Sequence, residues 1–532
     1  MYSIIPLPAR VEATAGDPVC VRAGDTVTWS DPVLDALAGQ FVQDVERACG
    51  LRLETGRVGL IELVLADEIP GLDMLPATRG VSPTDGDPAD ERYRLRVGNG
   101  RIRIAGTRPE GIFRGLTTLI QMIGVIPDGA DSVALDPIEI HDAPRYAWRG
   151  LSLDVVRRFM PTGEVTQVID QLARFKMNVL HLHLTDNEGW RLEITERPRL
   201  TEIGGSTAAG ERPGGFYTQQ QYRELVDYAA DRFVTVVPEI DMPGHAAAAI
   251  ASYPELLPGG GSPADPSSSA LDPAVPGTMD FVRAVLTEVA ALTPGAYLHA
   301  GGDEVFGMDD EVYRRFMTEA QTIVRELGKK LVSWQEAARA GVSAGSVSQY
   351  WMNSDLDTSM LSNAAEHGID IPAEFLPSIE ASLRQARGDV TRALASGAVI
   401  LLSPSSLIYL DNPYTEPGPA DQEDQRARLG MRLYPGNTVE SAVDWDPLDV
   451  HTDIDSDDTI AGVEAALWCE TVDRFEDAQF LMQPRLAGAA ERAWAPAGPF
   501  DWSDYAVRLA GQAPLWRRDG WDFFRSASVE WT

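Results

Sequence analysis

Cysteine, long apolar runs and positive charge are all scarce in this sequence of 532 residues. Its three cysteines form no CxxC pair, which argues against a disulfide framework and against the common zinc-binding spacings. No run of about 18 apolar residues occurs, so we expect no membrane-spanning helix. The first residues lack the basic and apolar segments of a signal peptide. We therefore expect a cytoplasmic protein, or a secreted one if a leader has been removed.

The charge balance is strongly acidic. The 45 lysine and arginine residues face 80 aspartate and glutamate residues, which gives a formal net charge of −35. A surface of this charge repels nucleic acid and anionic membranes, so neither is an expected partner. It fits a neutral small molecule, although solubility alone would explain it equally well. The composition leaves the oligomeric state open, a homodimer included.

Residues 1–141 have the pattern of a small α+β domain. Apolar residues alternate with arginines on both sides of a glycine-rich turn over 93–104, as they do in a β-hairpin. Thr107 and Glu110 then have capping-box spacing before a helix with one apolar face. Residues with catalytic chemistry are not concentrated here, so we expect an accessory domain.

Between residues 142 and 500, short apolar strands alternate with amphipathic helices. This alternation predicts an α/β fold with a parallel sheet, and eight such units fit a closed (β/α)₈ TIM barrel. The predicted strands are 149–155, 178–185, 234–240, 296–302, 330–335, 346–352, 398–410 and 460–468. Predicted helices include 162–176, 280–292 and 311–327. The tryptophan-rich residues 501–532 are expected to pack on the barrel.

Each predicted barrel strand ends in polar or aromatic side chains, and active sites of such barrels lie at these ends. In strand order the side chains are Asp154 and Arg157; His183 and Asp186; Glu239, Asp241 and His245; His299, Asp303 and Glu304; Trp334 and Glu336; Trp351; Tyr409 and Asp411; Trp468 and Glu470. Arg149 stands at the start of the first strand. Sugar rings offer apolar faces to aromatic rings and hydroxyls to carboxylates, so this set suits a carbohydrate pocket.

Asp303 and Glu304 are the candidate catalytic pair. Glycoside cleavage needs a proton for the leaving group and a negative partner for an oxocarbenium-like centre. Successive strand residues point to opposite faces, so both can reach the barrel mouth only if Gly301-Gly302 lets the strand end or bulge. Adjacent residues are poorly placed to flank one bond, which leaves the source of the nucleophile open.

Nine segments closely resemble the family 20 glycoside hydrolases, the β-N-acetylhexosaminidases. The segments are AWRGLSLDV, NVLHLHLTDNEGWR, VVPEIDMPGHAAA, LHAGGDE, LVSWQE, SQYW, IYLD, VDWDP and GVEAALWCE. They occur in the family's order, and the residues before them resemble its accessory domain. The chain departs from the family mainly over 352–408, where a long connection includes a helical stretch near 377–395. This connection is a candidate cover for the pocket or a candidate subunit contact.

The resemblance implies an exo-acting retaining enzyme for terminal N-acetylhexosamine residues. In that family the 2-acetamido oxygen of the substrate attacks the anomeric carbon, and no metal or cofactor is implied. Glu304 would be the general acid and later the base, while Asp303 would hold the acetamido N–H. The other implied roles are these: Tyr409 donates to the acetamido oxygen; Trp334, Trp351 and Trp468 surround its methyl group; Arg149, Asp411 and Glu470 bind sugar hydroxyls; Trp445 is a platform for the leaving group; and His245 and Asp186 form a polar chain behind Glu304.

Three other functions compete with this interpretation. A conventional retaining glycosidase would use Asp411 as a direct nucleophile and Glu304 as the acid. A metal-dependent amidohydrolase would use the two histidines of the HLH sequence, but that class carries its HxH on the first strand rather than the second. A sugar-binding module without activity would not need Asp303, Glu304 and Tyr409 together.

Overall fold

The computed structural model describes residues 2–84, 86, 89–127, 129–257, 270–353, 376–434 and 436–531. Within these ranges, none of the helices combines the length and the apolar character needed to cross a bilayer. Most of the connection 352–408 is described, but its residues 354–375 lie outside these ranges. The described remainder contains helices Leu376–Ala386 and Asp389–Ala395, where the sequence predicts a helical stretch.

The N-terminal part is a sheet covered by helices Asp35–Cys49 and Pro109–Ile123. Its strands are β1 (Arg10–Ala13), β2 (Val19–Arg22), β3 (Thr26–Trp29), β4 (Glu54–Thr55), β5 (Ile61–Leu65), β6 (Tyr93–Gly98), β7 (Arg101–Gly106), β8 (Ser132–Leu135) and β9 (Ile138–Asp142). Seven of them form one sheet in the order β1-β9-β6-β7-β5-β3-β4, and β2 pairs with β8. A single apolar core lies between this sheet and the two helices.

The predicted hairpin is confirmed, whereas the predicted capping box is wrong. Strands β6 and β7 pair antiparallel, and Asn99 and Gly100 between them have φ values of 52° and 71°, as a tight primed turn requires. The following helix has Arg108 at its N-cap without a side-chain hydrogen bond. The Thr107 hydroxyl instead donates to Asp90 at 3.0 Å, which ties the helix start to the preceding loop.

Eight parallel strands close into the predicted TIM barrel. They are β10 (Trp148–Asp154), β11 (Val179–His183), β14 (Thr235–Glu239), β15 (Tyr297–His299), β16 (Lys330–Trp334), β17 (Val347–Tyr350), β18 (Val399–Leu402) and β19 (Ile460–Leu467), while β12 (Thr185–Asp186) and β13 (Gly189–Trp190) form a small hairpin above them. The predicted seventh strand over 398–410 is shorter than expected, because the chain turns into a short helix, Ser405–Ile408.

Helices follow the strands and cover the outside of the barrel. Their longer members are Thr162–Arg174, Gln219–Ala230, Thr278–Leu292, Asp310–Glu326, Phe475–Met482 and Arg485–Trp494; shorter ones are Arg199–Glu202, Ala247–Ser252 and Glu423–Arg428. The first four of these long helices bury one apolar face against the barrel, whereas Phe475–Met482 and Arg485–Trp494 are buried on nearly all sides. After the barrel, helices Trp502–Ala510 and Ala513–Arg518 lead into a tail whose Phe524 stacks on Tyr414 at 4.0 Å.

The barrel interior changes from apolar to polar along its axis. At the amino-terminal end of the strands lies an apolar layer of Trp148, Val179, Val237, Val332, Val347 and Leu401. Two residues further along, the inward side chains are buried polar groups: His181, Glu239, His299, Gln349 and Glu464. The site at the carboxyl-terminal ends therefore stands on a hydrogen-bonded polar layer rather than on hydrocarbon.

The N-terminal domain and the barrel meet across buried ion pairs. Asp142, at the end of β9, pairs with Lys176 of the barrel at 2.7 Å, and both side chains are fully buried. Glu91 accepts from Arg114 of its own domain at 2.8 Å and from Arg149 of the barrel at 2.6 Å. Buried pairs of this kind are costly to separate, so they fix the two domains against each other.

Candidate active site

Twelve of the seventeen residues predicted at the strand ends line one cavity of about 190 Å³ at the barrel mouth. The other five, which are not in its walls, are Asp154, Glu239, His299, Trp334 and Glu336. Its walls are Arg157, His183, Asp186, Asp241, His245, Asp303, Glu304, Trp351, Tyr409, Asp411, Met431, Leu433, Tyr434, Trp468 and Glu470. Larger cavities of about 290 and 780 Å³ exist, but the first shares only Glu304 with this set, and the second lies between the N-terminal residues and 491–508. The chemistry predicted from the sequence is concentrated in the 190 Å³ pocket.

Both members of the predicted pair line this pocket, because the backbone between them and β15 is irregular. Strand β15 ends at His299, and Gly301 and Gly302 follow with φ values of 62° and 109°. A side chain at Gly301 would overlap the carboxylate of Asp241, so only glycine fits there. The glycine pair thus turns Asp303 and Glu304 towards the same cavity.

A polar chain reaches Glu304 from the barrel wall. His245 Nδ1 lies 3.0 Å from Asp186 Oδ1, and its Nε2 lies 3.6 Å from the Glu304 carboxylate and 3.7 Å from that of Asp303. Asp186 is also within 2.8 Å of Arg157. Burial favours the neutral acid, but these cationic neighbours outweigh it and hold the pKa of Asp186 well below its ordinary value.

Asp303 and Asp241 are two buried carboxyls in the same pocket. Burial raises the pKa of Asp241 to about 7. Burial and the nearby Asp241 carboxyl raise the pKa of Asp303 well above its ordinary value. Asp303 Oδ1 is buried and has no hydrogen-bond partner among the described residues, so it is available to a ligand donor.

Aromatic rings form a box beside Asp303. Trp351 and Tyr409 stack with an interplanar angle of 9° and a centroid distance of 6.4 Å. Trp468 lies 6.1 Å from Tyr409 and 6.0 Å from Trp334, so the four rings are contiguous. Trp334 itself is 1% exposed and forms the base of the box. Such a box accepts a small apolar group and offers the Tyr409 hydroxyl beside it.

Acidic groups and one arginine occupy another side of the pocket. Asp411 Oδ1 accepts from the backbone N–H of Trp468 at 3.4 Å, while its buried Oδ2 has no partner among the described residues. Burial, reinforced by the nearby Glu470, raises the pKa of Asp411 to about 8. Arg157 lies over the Trp468 ring, 5.4 Å from its centroid, and reaches Glu470 at 3.9 Å. These groups can exchange hydrogen bonds with several hydroxyls of one sugar ring.

Arg149 does not belong to this pocket, and its predicted contact with substrate is wrong. It stands at the first end of β10, whereas the pocket lies beyond the last residues of the strands. Its guanidinium is 1% exposed and bonds Glu91 and the carbonyl oxygens of Tyr146 and Lys176. Arg149 therefore joins the two domains, and Arg157 is the arginine of the pocket.

Trp445 also does not line the pocket, where it was predicted to be a platform for the leaving group. Its indole N–H donates to the carbonyl of Ala442 at 3.0 Å, and the half-buried ring packs on the barrel core. Its own carbonyl accepts from Arg492, in the last turn of helix Arg485–Trp494. That helix ends beside Arg145, just before β10, so Trp445 lies towards the opposite end of the barrel.

The sequence placed Arg157 and Asp241 at strand ends that face the site, but neither was assigned a role there. Residues that the sequence reasoning did not find are Met431, Leu433 and Tyr434. Tyr434 lies in the long loop after β18, with Met431 and Leu433 beside it at the rim. No periodic signal marks that loop, so its contribution could not be read from the sequence.

Three sets of side chains among the described residues, all buried except the partly buried His245, have ligand atoms within 4.8 Å of one another, close enough to bind a metal ion. The sets are His181, Glu239 and His299; His183, Asp186 and Asp241; and Asp241, His245 and Asp303. Both ring nitrogens of His181 and of His183 are hydrogen-bonded to carboxylates, so protein partners already satisfy these rings. The third set lies inside the pocket described above.

Comparisons with known proteins agree with this geometry. The model for "Glycosyl hydrolase family 20, catalytic domain" matches residues 146–373 and 381–497, and the model for domain 2 of the same family matches residues 1–143. The chain is 35% identical to a β-N-acetylhexosaminidase of Cellulomonas fimi, over 99% of this chain and 97% of that protein.

Solved structures give the same result. A mutant β-hexosaminidase of Streptomyces plicatus, in complex with the product GlcNAc, has a TM-score of 0.83 and 36% identity over 100% of this chain and 98% of that chain. An exo β-N-acetylglucosaminidase of Vibrio harveyi, in complex with N-acetylglucosamine, has a TM-score of 0.77 and 26% identity over 98% and 78% of the two chains. Together with the motifs and the barrel mouth, these matches show that the chain belongs to glycosyl hydrolase family 20, a family of glycoside hydrolases.

Proposed function

We propose that this chain is an exo-acting retaining β-N-acetylhexosaminidase. It removes terminal, non-reducing GlcNAc or GalNAc residues, and the substrate's own acetamido group acts as the nucleophile. Two relatives support the substrate class: the Cellulomonas fimi protein is a β-N-acetylhexosaminidase, and the Streptomyces plicatus structure holds GlcNAc. The site supports it independently through one local arrangement of residues.

The observation that carries the proposal is the buried Asp303 oxygen beside the aromatic box, which has no hydrogen-bond partner in the described part of the chain. An acetamido group has an N–H that needs an acceptor, a carbonyl oxygen that needs a donor, and a methyl group that needs an apolar wall. Asp303, the Tyr409 hydroxyl, and the rings of Trp334 and Trp351 supply these three partners in one place. Held in this way, the carbonyl oxygen is positioned close to the anomeric carbon of the same sugar.

In the first step the acetamido oxygen attacks the anomeric carbon while the bond to the leaving group breaks. Glu304 donates its proton to the departing oxygen, and a cyclic oxazolinium ion forms. Asp303 accepts the hydrogen bond from its N–H and, as an anion, stabilises the positive charge. In the second step Glu304 removes a proton from water, which opens the ring and restores the original anomeric configuration. Asp186 holds His245 through a hydrogen bond at 3.0 Å, and His245 Nε2, 3.6 Å from the Glu304 carboxylate, acts on Glu304 electrostatically.

The remaining polar groups hold the sugar ring and limit the enzyme to chain ends. Arg157, Asp411 and Glu470 face one side of a 190 Å³ cavity, which accommodates a single sugar ring. Hydrogen bonds from these side chains to the 3-, 4- and 6-hydroxyls leave no path for a chain extended beyond them. This enclosure supports exo action on a terminal residue.

A conventional retaining mechanism with Asp411 as nucleophile fits the site less well. The pKa of Asp411 is raised to about 8, so this carboxyl is mostly protonated at neutral pH. A protonated carboxyl is a poor nucleophile, whereas it is well suited to hydrogen-bond a hydroxyl. One of its oxygens also accepts from the Trp468 backbone, which limits its reach towards an anomeric carbon.

The proposal is tested with a panel of aryl β-glycosides of GlcNAc, GalNAc and glucose, together with a thiazoline mimic of the cyclised intermediate. We expect hydrolysis of the two N-acetyl sugars, very poor hydrolysis of the glucoside, and tight competitive inhibition by the thiazoline. Efficient glucoside hydrolysis with weak thiazoline inhibition would favour Asp411 as nucleophile. Activity that chelators abolish would favour a metal-dependent hydrolase, and no turnover of any substrate would favour a binding module.

A further inference from the structure

Glu239 occupies an unusual position beneath the pocket. It is the last residue of β14 and is fully buried. Four nitrogens lie within hydrogen-bonding distance of its carboxylate: His181 Nε2 at 3.1 Å, His183 Nδ1 at 2.6 Å, His299 Nδ1 at 2.9 Å and Trp334 Nε1 at 2.8 Å. A buried carboxylate with this many nitrogen partners is held in one orientation.

Its two oxygens serve different parts of the site. Oε1 accepts from the indole N–H of Trp334, the ring at the base of the aromatic box. Oε2 bonds His183, whose other ring nitrogen lies 2.7 Å from Asp186. From Asp186 the contacts continue to His245 and so to Glu304. The Glu239 carboxylate therefore contacts both the aromatic box and the polar chain that leads to Glu304.

We propose that Glu239 is a positioning residue that couples the aromatic box to the polar chain that reaches Glu304. Because four nitrogens hold the planar carboxylate in one orientation, it fixes the Trp334 ring relative to His183. Loss of its charge should therefore loosen both ends of the site together. This inference rests on the proposed function, in which Trp334 contacts the N-acyl group and Glu304 donates the proton.

The chain contains a matched control in Glu464. This carboxylate is also fully buried in the barrel, and it lies within 2.9 Å of His181, 2.6 Å of Trp148 Nε1 and 2.9 Å of Gln349 Nε2. None of these partners lines the 190 Å³ pocket. The two carboxylates share His181, but Glu464 bonds neither Trp334 nor His183, so loss of its charge should disturb the polar layer of the barrel without breaking the contacts to either end of the site.

The test compares Glu239→Gln with Glu464→Gln through two ratios of kcat/KM. The first ratio, N-acetyl over N-propionyl substrate, measures how tightly the box confines the acyl group. The second, an activated aryl glycoside over chitobiose, measures the demand for proton donation. In Glu239→Gln we expect kcat/KM on chitobiose to fall on the order of 100-fold, the first ratio to fall and the second to rise, each by about 10-fold. Glu464→Gln should leave both ratios at the wild-type values even if its Tm drops equally.

A second variant keeps the inference testable if Glu239→Gln does not fold. Trp334→Phe removes only the indole donor to Glu239, and coupling predicts that it raises the second ratio as well as lowering the first. A change confined to the first ratio would overturn the inference, as would equal changes in the two Gln variants. If the wild-type enzyme itself lacked N-acyl selectivity, the proposed function would fail instead, so the two failures are distinguishable.

Discussion

Two residues of the site adopt backbone conformations that residues other than glycine rarely adopt. His245 and Glu304 have φ values of 50° and 49°, in the left-handed region that favours glycine. Each such residue costs on the order of 1–3 kcal/mol unless its surroundings compensate. His245 is held in this conformation by its bond to Asp186, and the Glu304 carbonyl accepts from the N–H of Phe306 at 2.7 Å. The strained positions therefore coincide with the groups to which we assign proton transfer.

Glu304→Gln tests proton donation by this residue. Glutamine keeps the shape of the side chain but cannot supply a proton, so the loss depends on how much help the leaving group needs. We expect kcat/KM to fall by on the order of 1000-fold on chitobiose and far less on dinitrophenyl β-GlcNAc. Steady-state kinetics on a series of substrates with different leaving groups measure how the loss of kcat/KM depends on the leaving group.

The matched control for this variant is Glu470→Gln, another carboxylate of the pocket. It should raise KM for every substrate of the series by a similar factor, because it contacts the sugar rather than the leaving oxygen. Equal losses across the series in Glu304→Gln would remove Glu304 from the role of general acid.

Asp241→Asn tests the electrostatics of Asp303. The carboxyl of Asp241 raises the pKa of Asp303, and its removal should therefore lower that pKa. Asp303 acts as an anion in the proposed mechanism and is anionic only above its pKa. The acidic limb of the kcat/KM profile should consequently move to lower pH in the variant. The measurement is kcat/KM against pH on an activated aryl substrate, for which proton donation matters least.

Other groups also face Asp303, so the pH profile needs a reference. His245, Glu304 and Glu336 act on it as well, and all three are retained in the variant. Asp455→Asn removes the same charge from an exposed loop beyond the pocket, and its profile should match that of the wild type. A shift of the acidic limb to higher pH in Asp241→Asn would contradict the account.

Single strands of the barrel carry different roles at their two ends. β10 has Arg149 near its start, in the interface between the domains, and Asp154 at its end, followed by Arg157 in the pocket. The two arginines are eight positions apart, yet one contacts Glu91 of the accessory domain and the other lines the pocket. The direction of the strand decides this difference.

Substitution of these two arginines separates stability from activity. Arg149→Met removes one partner of a buried ion pair and should lower the free energy of unfolding by on the order of 3 kcal/mol, with kcat/KM unchanged well below the Tm. Arg157→Lys keeps the charge but not the planar fork, and should raise KM with little change in Tm. Thermal unfolding and steady-state kinetics on both variants measure these two effects. A raised KM in Arg149→Met would support the original prediction that Arg149 binds a sugar hydroxyl.

The sequence predicted elements better than individual positions. Strands such as β11 and β19 are continuous apolar runs, and their ends and the glycine pair before Asp303 could be located from periodicity and from the geometry of barrels. Arg149 was misplaced because its role was taken from the family resemblance, although it stands at the start of its strand and barrel sites lie at the other end. Trp445 was misplaced because it lies in a loop, whose path depends on long-range contacts such as that with Arg492.

At the scale of the whole molecule, the two domains form one packed body through buried charges. Asp142 accepts from Lys176, from the hydroxyl of Tyr93 and from the indole of Trp494, so one carboxylate joins strands β6 and β9 to the barrel and its last helix. Hydrogen bonds are directional, so they fix the orientation of the two domains more specifically than apolar contacts do. The accessory domain thereby supports the first end of β10, opposite the catalytic end.

This connection predicts one cooperative unfolding transition for the whole chain. Lys176→Met leaves Asp142 buried without its cationic partner and should lower stability by on the order of 3 kcal/mol. Lys330→Met, at an exposed position, should change it by less than about 0.5 kcal/mol. Differential scanning calorimetry gives both values and the number of transitions. Two separate transitions in the wild-type protein would show that the domains unfold independently.

The central claim is that the acetamido oxygen of the substrate performs the attack, and one series of substrates tests it most directly. Successive fluorination of the N-acetyl methyl group, from acetyl to trifluoroacetyl, weakens that oxygen as a nucleophile while the leaving group stays the same. The account predicts that log kcat/KM on these aryl glycosides falls steeply and linearly with the number of fluorines. Rates independent of fluorination would contradict it, because a carboxylate nucleophile such as Asp411 would not depend on the acyl group.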